Sequence, residues 1–380
     1  METNMLIDPA SAGIPAPFWF VQFFKWLGFT LHMVPMNLWY AGLVLGLWLH
    51  LRGDQYGRRF GSRLLQQMPV IIAAGVNFGI VPLLFIQLAY YKVFYPATIL
   101  MAWAWLAIVG LLIPAYYGVY AYALGLRNGV KGEAMARWRV AAGWIAAVFF
   151  ITIGFLFTNG LSLMDHVERW PELWQNHSVA GAALGTAMNL TDPTLWPRWF
   201  LMFGLAMGTT AVWMLVDAVL LAGKTADEGY RQWAVGFAKH LYTLAMLWTA
   251  AAGMWYVFYT WSPAVKESMF AWPLLPLTLA TGAAMGLPWL MIVTLSWCPE
   301  KRVAVGSIAA CQFGVLGVNA LSRQIVQNIN LLPYLKVAEQ PTDVQWGPLW
   351  MFLIAFVIGL IVIGWMFAQL RNCKPAPASR

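Results

Sequence analysis

The sequence predicts an all-α polytopic membrane protein with about nine transmembrane helices, its N-terminus outside and its C-terminus cytoplasmic. Three observations carry that reading. Charged residues make up only 10% of the 380-residue chain and hydrophobic residues 61%, against about 25% charged in soluble domains, so lipid must replace water around much of the surface. Apolar stretches of roughly 20 residues, the length that spans a bilayer, alternate with short polar loops. The basic residues gather in alternate loops, which orients the chain.

The expected helices follow from these stretches in order: 18–50, 67–91, 97–125, 140–163, 198–222, 233–260, 270–297, 303–322 and 347–370. The first is too long for a signal-peptide core, and the polar, acidic, Pro-containing Met1–Pro17 before it does not resemble a cleavable leader. The second carries the Gly- and Pro-punctuated segment Gly75-Val-Asn-Phe-Gly-Ile-Val-Pro82; such breaks need other groups to satisfy the backbone, and mark either a cavity or a kink. The loops after the first, third, fifth and seventh helices, with the C-terminal tail, hold 16 of the 23 Lys and Arg residues, from Arg52, Arg58 and Arg59 to Lys301, Arg302 and Arg371. The opposite face holds Lys92, Arg169, Arg198, Lys266, Arg323 and Lys336, and Lys25 sits near the start of the first span. An odd number of helices agrees with the two termini on opposite sides. Residues 1–380 are thus expected to form a single integral membrane domain of a bacterial inner membrane, with outer loops at about 164–197 and 323–346.

The net charge of +8 is accounted for by this topology and does not call for nucleic acid. Cys298, Cys311 and Cys373 form no CxxC or CxxCH pattern, which argues against covalent c-type haem, cysteine-held clusters and a disulfide framework. The 23 Trp suit the headgroup interface and equally the walls of a haem or quinone pocket.

An ionisable side chain inside a span is a functional-site hypothesis by default. His32, in Leu31-His-Met-Val-Pro-Met36, is the first; a neutral imidazole suits haem iron, and the bland alternative is a hydrogen bond to a neighbouring helix. Asp217 is the second, a proton-relay candidate with His240, or else an interface partner of Lys224 or Lys239. Arg198 and Arg323 sit at expected outer helix ends, where an arginine fork can hold a haem propionate or a quinone carbonyl or simply snorkel. Asn77, Gln87, Gln312 and Asn319 are amides inside spans, which usually bond between helices. The loop 164–197 contains Asp165, His166, Trp170, Trp174, His177, Asp192 and Trp196, a length that favours a functional or partner-binding loop. No phosphate loop, zinc-type spacing or nucleophile–base pair supports a hydrolase or a nucleotide-driven machine.

Several of these segments, in chain order, resemble the cytochrome bd quinol oxidase subunit I superfamily: Leu31-His32, Gly75-Val-Asn-Phe-Gly79, Asn159-Gly160, Asp192-Pro193 with Arg198, Ala284-Met285-Gly286 and Arg323-Gln324. The resemblance implies nine helices, a histidine ligand to a b-type haem at His32, a haem-ligating methionine at Met285, and cofactor contacts from Arg198, Arg323 and Gln324. The chain departs from that pattern where Leu201 stands at the expected second histidine, where the third helix lacks acidic residues, and where the short link Trp261–Met269 replaces a long quinol-binding loop. The implied function is a membrane subunit of a respiratory electron-transfer complex. It would pass electrons between quinone and a periplasmic partner such as a c-type cytochrome, with haem b and quinone as cofactors and further membrane and periplasmic subunits as partners. The alternatives are a cofactor-free anchor subunit and a secondary transporter, although the inverted repeats of the latter are not evident.

Overall fold

The computed structural model describes residues 13–128, 135–222, 227–295 and 301–372; Cys298, Cys373 and Lys224 lie outside them. The chain is a helical membrane protein. Among the described residues eight helices are long and apolar enough to cross a bilayer: α1 (Phe18–Arg52), α2 (Gln55–Ala89), α3 (Ala102–Arg127), α4 (Arg137–Asp165), α5 (Leu195–Leu221), α6 (Glu228–Thr260), α7 (Leu275–Thr294) and α8 (Lys301–Leu331). A ninth long helix, α9 (Trp346–Asn372), follows. The described β structure is one small hairpin, β1 (Ser178–Val179) paired antiparallel with β2 (Ala182–Ala183). Its two turn residues, Ala180 and Gly181, both take positive φ, the geometry that closes two-residue hairpins.

Local chemistry sets several helix ends. Asp54 caps α2 by accepting from the Gly57 N–H at 2.7 Å, and Asp227 caps α6 through Tyr230 N–H at 2.7 Å, each satisfying a donor that the helix leaves unpaired. Three helices contain π-helical turns: Leu38–Gly42 in α1, Asp217–Leu221 in α5 and Trp255–Thr260 in α6. Such turns are frequent at functional sites, and the first starts nearly two turns beyond His32, just after Pro35, whose ring removes a backbone donor.

The described residues fall into two compact units. In the larger, Phe23–Lys336, α1 and α5 are the most buried spans, whereas α3, α6 and α7 bury little of their apolar windows. Trp103, Leu106, Val109 and Tyr117 of α3 point outward, as expected where lipid is the solvent. One core runs through this unit, from Met33 and Trp39 through Phe150 and Met214 to Leu316. The smaller unit takes the chain up to Gln22 together with the chain from Val337 on. There Ile14 bridges Thr342 in parallel, donating to Pro341 O at 2.8 Å and accepting from Asp343 N at 3.0 Å. Gly13 takes φ +83°, and a Cβ there would lie 2.9 Å from Asp343 N, so only glycine fits. Phe20 meets Phe352 edge to face at 5.7 Å.

The structure moves several sequence-based boundaries. The second helix, expected from residue 67, already begins at Gln55, so Arg58, Arg59 and Arg63 are helical rather than loop residues. The eighth helix, expected to end at residue 322, continues to Leu331, so Arg323 and Gln324 are helical rather than loop residues. Hydropathy alone stops a span at the polar run Ser322–Gln324, but these side chains are satisfied or enclosed within the protein and the helix need not end. The third expected helix is divided into Tyr91–Leu100 and α3.

Candidate functional site

His32 projects from α1 against α2. Its Nδ1 lies 2.8 Å from Gly75 O. A carbonyl only accepts, so Nδ1 carries the proton, and in the neutral ring Nε2 keeps its lone pair. No hydrogen-bond partner for Nε2 is found among the described residues. Gly75 and Gly79 make this approach possible. A Cβ at Gly79 would fall 2.8 Å from His32 Cε1, and one at Gly75 would fall 2.3 Å from the Trp39 ring. Small residues four apart let two membrane helices close to this distance, which gives the punctuated segment of the second helix a definite purpose.

His32 lines a cavity of about 290 Å³ walled mainly by α1–α4, with Phe94, Met202 of α5 and Arg323 of α8, close to the lower end of ligand-sized pockets. Its walls are apolar and aromatic, including Trp39, Phe94, Trp105, Phe150 and Phe157, and the thioethers of Met36, Met164 and Met202 reach it. Trp39 stacks on Phe150 with ring centroids 5.4 Å apart and meets the His32 ring edge to face at 5.7 Å, so the ligand-type ring is held from two sides. Among the described residues no group of three or more His, Cys, Asp or Glu forms a metal site. An imidazole held in one tautomer on the wall of an apolar cavity can ligate a metal that brings its other ligands with it.

A second, smaller cavity of about 50 Å³ is lined by Lys25, Arg198, Arg323, Gln324 and Gln327. It shares Phe29, Pro82, Ile86, Leu161 and Arg323 with the larger one, so the two adjoin. Lys25 and His32 are seven residues apart on one helix, an axial offset of about 10 Å. Lys25 Nζ donates to Gln327 Oε1 at 2.8 Å and lies 3.9 Å over the Tyr90 ring. Gln327 Nε2 donates to Asp165 Oδ1 at 3.0 Å, and Arg198 Nη1 to Asp165 Oδ2 at 2.8 Å. Arg323 lies 4.9 Å over the Phe29 ring, and no hydrogen-bond acceptor among the described residues meets its guanidinium.

The loop after α4 is fastened at this end of the bundle. Asn189 N donates to Asn159 Oδ1 at 3.3 Å and its amide to Ser162 Oγ at 2.8 Å. Ser162 in turn donates to Asp192, which also receives both Thr194 donors at 2.8 Å and lies 3.4 Å from His166 Nδ1. The Asn159-Gly160 and Asp192-Pro193 segments, 30 or more residues apart in sequence, therefore meet.

The structure brings together His32, Arg198, Arg323 and Gln324 of the sequence-derived candidates, around the two adjoining cavities. Met285 is buried against Gly208, where a Cβ would lie 2.9 Å from its Cε, and lines neither cavity. Asp217 is held not by Lys239 but by Arg63 Nε at 2.9 Å and Tyr230 OH at 2.8 Å. His240 is exposed and bonds Gly236 O of its own helix at 2.8 Å; no hydrogen bond joins it to Asp217. Gln312 accepts from Tyr242 OH at 2.6 Å and donates to Thr209 at 3.2 Å, an interhelical role as expected for such an amide. Cys311 is a free thiol. Sequence reasoning missed Lys25, Asp165 and Gln327 as site residues. The signal available was Lys25, the one Lys or Arg within the expected span 18–50, near its start; nothing local marked Gln327.

No family model and no curated protein matches the sequence. Among solved structures the chain is similar to bd oxidase from Geobacillus thermodenitrificans, with a TM-score of 0.61 and 12% identity, over 96% of this chain and 100% of that one. At this identity the likeness is one of fold.

Proposed function

We propose that this protein is the membrane subunit of a respiratory electron-transfer complex, binding one b-type haem through His32 and exchanging electrons with quinone at the end of the bundle that carries Arg198 and Arg323. One observation carries the reading: an imidazole whose Nδ1–H is committed to Gly75 O at 2.8 Å, its Nε2 lone pair left for a metal, on the wall of an apolar cavity of about 290 Å³. A backbone acceptor behind a ligating histidine fixes its tautomer and orientation. A bound haem would supply one-electron transfer. The protein's own residues do the rest: Trp39, Phe150 and Phe157 exclude water, Gly79 leaves the imidazole its place, and Arg198, Arg323 and Gln324 form the polar pole that receives oxygen atoms. The bd-oxidase-like fold supports a place in a membrane redox complex. In this reading the N-terminus and the loop 164–197 face the outside of a bacterial inner membrane. That loop then offers a docking face to a periplasmic partner such as a c-type cytochrome, beside further membrane subunits. Asp217 and His240 lie at the opposite, base-rich end, where Asp217 would be the only one of the two available for passing protons inside the bundle.

The test is the visible spectrum of the purified protein. The expected result is a b-type spectrum that is lost or shifted in His32→Ala. An unchanged spectrum in that variant removes His32 as the ligand, and a colourless wild-type protein selects the cofactor-free anchor subunit.

A further inference from the structure

The smaller cavity has an unbalanced charge. Three cations from three helices line it, Lys25 of α1, Arg198 of α5 and Arg323 of α8. Asp165 is the carboxylate bonded into the cluster among the described residues, and both its oxygens are committed, one to Arg198 at 2.8 Å and one to Gln327 at 3.0 Å. Asp192 is tied instead to Ser162 and Thr194. Lys25 is 6% exposed, and its one hydrogen bond among the described residues is to a neutral amide. Arg323, partly exposed, has an aromatic face and no acceptor among the described residues. Like charges gathered away from water are strongly unfavourable unless a counter-charge sits among them. Aromatic faces such as Tyr90 and Phe29 offset only part of that.

We infer that the pocket formed by Lys25, Arg198, Arg323 and Gln327 is an oxyanion site. It binds the carboxylate or phosphate oxygens of an anionic amphiphile whose apolar body lies in the adjoining His32 cavity. Arg323, in the wall common to both cavities, presents its fork to the anion, and Lys25 adds a point charge from α1. Gln327 and Asp165 are positioning residues: the amide holds the Lys25 ammonium, and the carboxylate holds Arg198 in place without neutralising the whole cluster. The inference deepens the reading of this pocket as the polar pole of the site, because it fixes the sign of what is held there. A neutral quinone headgroup alone leaves the excess charge uncompensated. It does not depend on His32 binding a metal.

The same chemistry has two sources, the acid side chains of a porphyrin and the phosphate of a phospholipid, and one experiment separates them. The purified full-length protein is titrated with haemin and with haemin dimethyl ester, followed by the Soret band. It is also titrated with brominated phosphatidylglycerol and phosphatidylcholine, followed by tryptophan quenching. Wild type is compared with Lys25→Gln, Arg323→Gln and Lys25→Arg. The expected result is a preference of about tenfold or more for the anionic member of at least one pair, the scale of one charge-assisted contact. That preference should shrink in Lys25→Gln and Arg323→Gln and survive in Lys25→Arg. A preference in the haemin pair assigns the porphyrin as source, and one in the phospholipid pair assigns lipid. Equal binding of charged and neutral members in wild type, or a preference untouched by Arg323→Gln and Lys25→Gln, overturns the inference. If a Gln variant fails to fold, the wild-type and Lys25→Arg ratios still decide it. A loss of the iron-ligand spectrum in His32→Ala with the charge preference in the wild-type protein intact would separate the failure of the haem reading from that of the anion site.

Discussion

Two buried aspartates, Asp165 at one end of the bundle and Asp217 towards the other, each accept from an arginine and sit in clusters put to opposite use. Asp217 is 1% exposed and is matched: Arg63 Nε reaches both its oxygens at 3.0 and 2.9 Å, and the Tyr230 hydroxyl adds a third bond at 2.8 Å. Tyr230 itself lies under Arg59, 4.5 Å from the guanidinium carbon. One carboxylate, one arginine in direct contact and one phenol close on one another, and α5, α2 and α6 are pinned together there. Asp165 is 3% exposed and has both oxygens bonded, but it stands against three cations beside a cavity. The difference teaches that burial and hydrogen bonding do not distinguish a clamp from a site. What distinguishes them is whether the charges cancel within the protein and whether space remains beside them.

That contrast can be broken most directly at Asp217. Asp217→Ala should destabilise the protein by about 3 kcal/mol, the order seen when one partner of a buried ion pair is removed, and should leave ligand binding unchanged. Thermal unfolding in detergent measures the first and the titrations above the second; a change in ligand preference without loss of stability would make Asp217 a site residue. Next in size is Gly79→Ala. Its methyl group would meet His32 Cε1 at 2.8 Å, and overpacking of this kind costs about 1–3 kcal/mol. The variant should displace the imidazole and weaken haem uptake, so a normal Soret band would show that the ring does not depend on this glycine. Asp165→Asn should have a smaller effect on stability, because the amide keeps a hydrogen-bond acceptor for Arg198 or Gln327. It should tighten anionic probes, since the counter-charge is gone while the remaining acceptor still holds Arg198; weaker binding would show that its placing of Arg198 outweighs its charge. The mildest effect is expected at Asp227, outside the spans. The Tyr230 backbone N–H, with Arg59 beside it at 3.0 Å, holds its carboxyl below the usual value of 3.8. A depressed folded-state value stabilises above the ordinary one and is lost as pH falls through the folded one. A small stability increment should therefore be present at neutral pH and fade below about pH 4, and Asp227→Asn should remove that acid-side slope while keeping the helix cap. An identical pH profile in the variant would exclude Asp227 as its source.

His32 was legible in the sequence because an ionisable ring in a span is costly and therefore conspicuous. Arg198 and Arg323 were legible for the same reason, though as helix-end residues. Gln327 was not, because its position follows a polar run that hydropathy reads as a loop. In the fold its two bonds reach across the bundle: to Lys25, 302 positions away, and to Asp165, 162 away. Met285 was singled out by resemblance, and packing against Gly208 keeps it from both cavities. The partner of Asp217 was expected among nearby lysines and proved to be Arg63, from a helix 154 positions earlier.

The sequence by itself determined that this chain lives in a membrane as long apolar helices, and which few residues pay a desolvation cost there. Those properties are sums over local stretches, of transfer free energy along a span and of charge along a loop. Only the tertiary structure decided which of the costly residues meet. It set His32 against Gly75 and an apolar cavity, closed Asp217 with Arg63 and Tyr230, and drew Lys25, Arg198 and Arg323 around one carboxylate. Charge balance and free volume belong to a neighbourhood in space, where contacts fall off within a few ångströms whatever the separation along the chain.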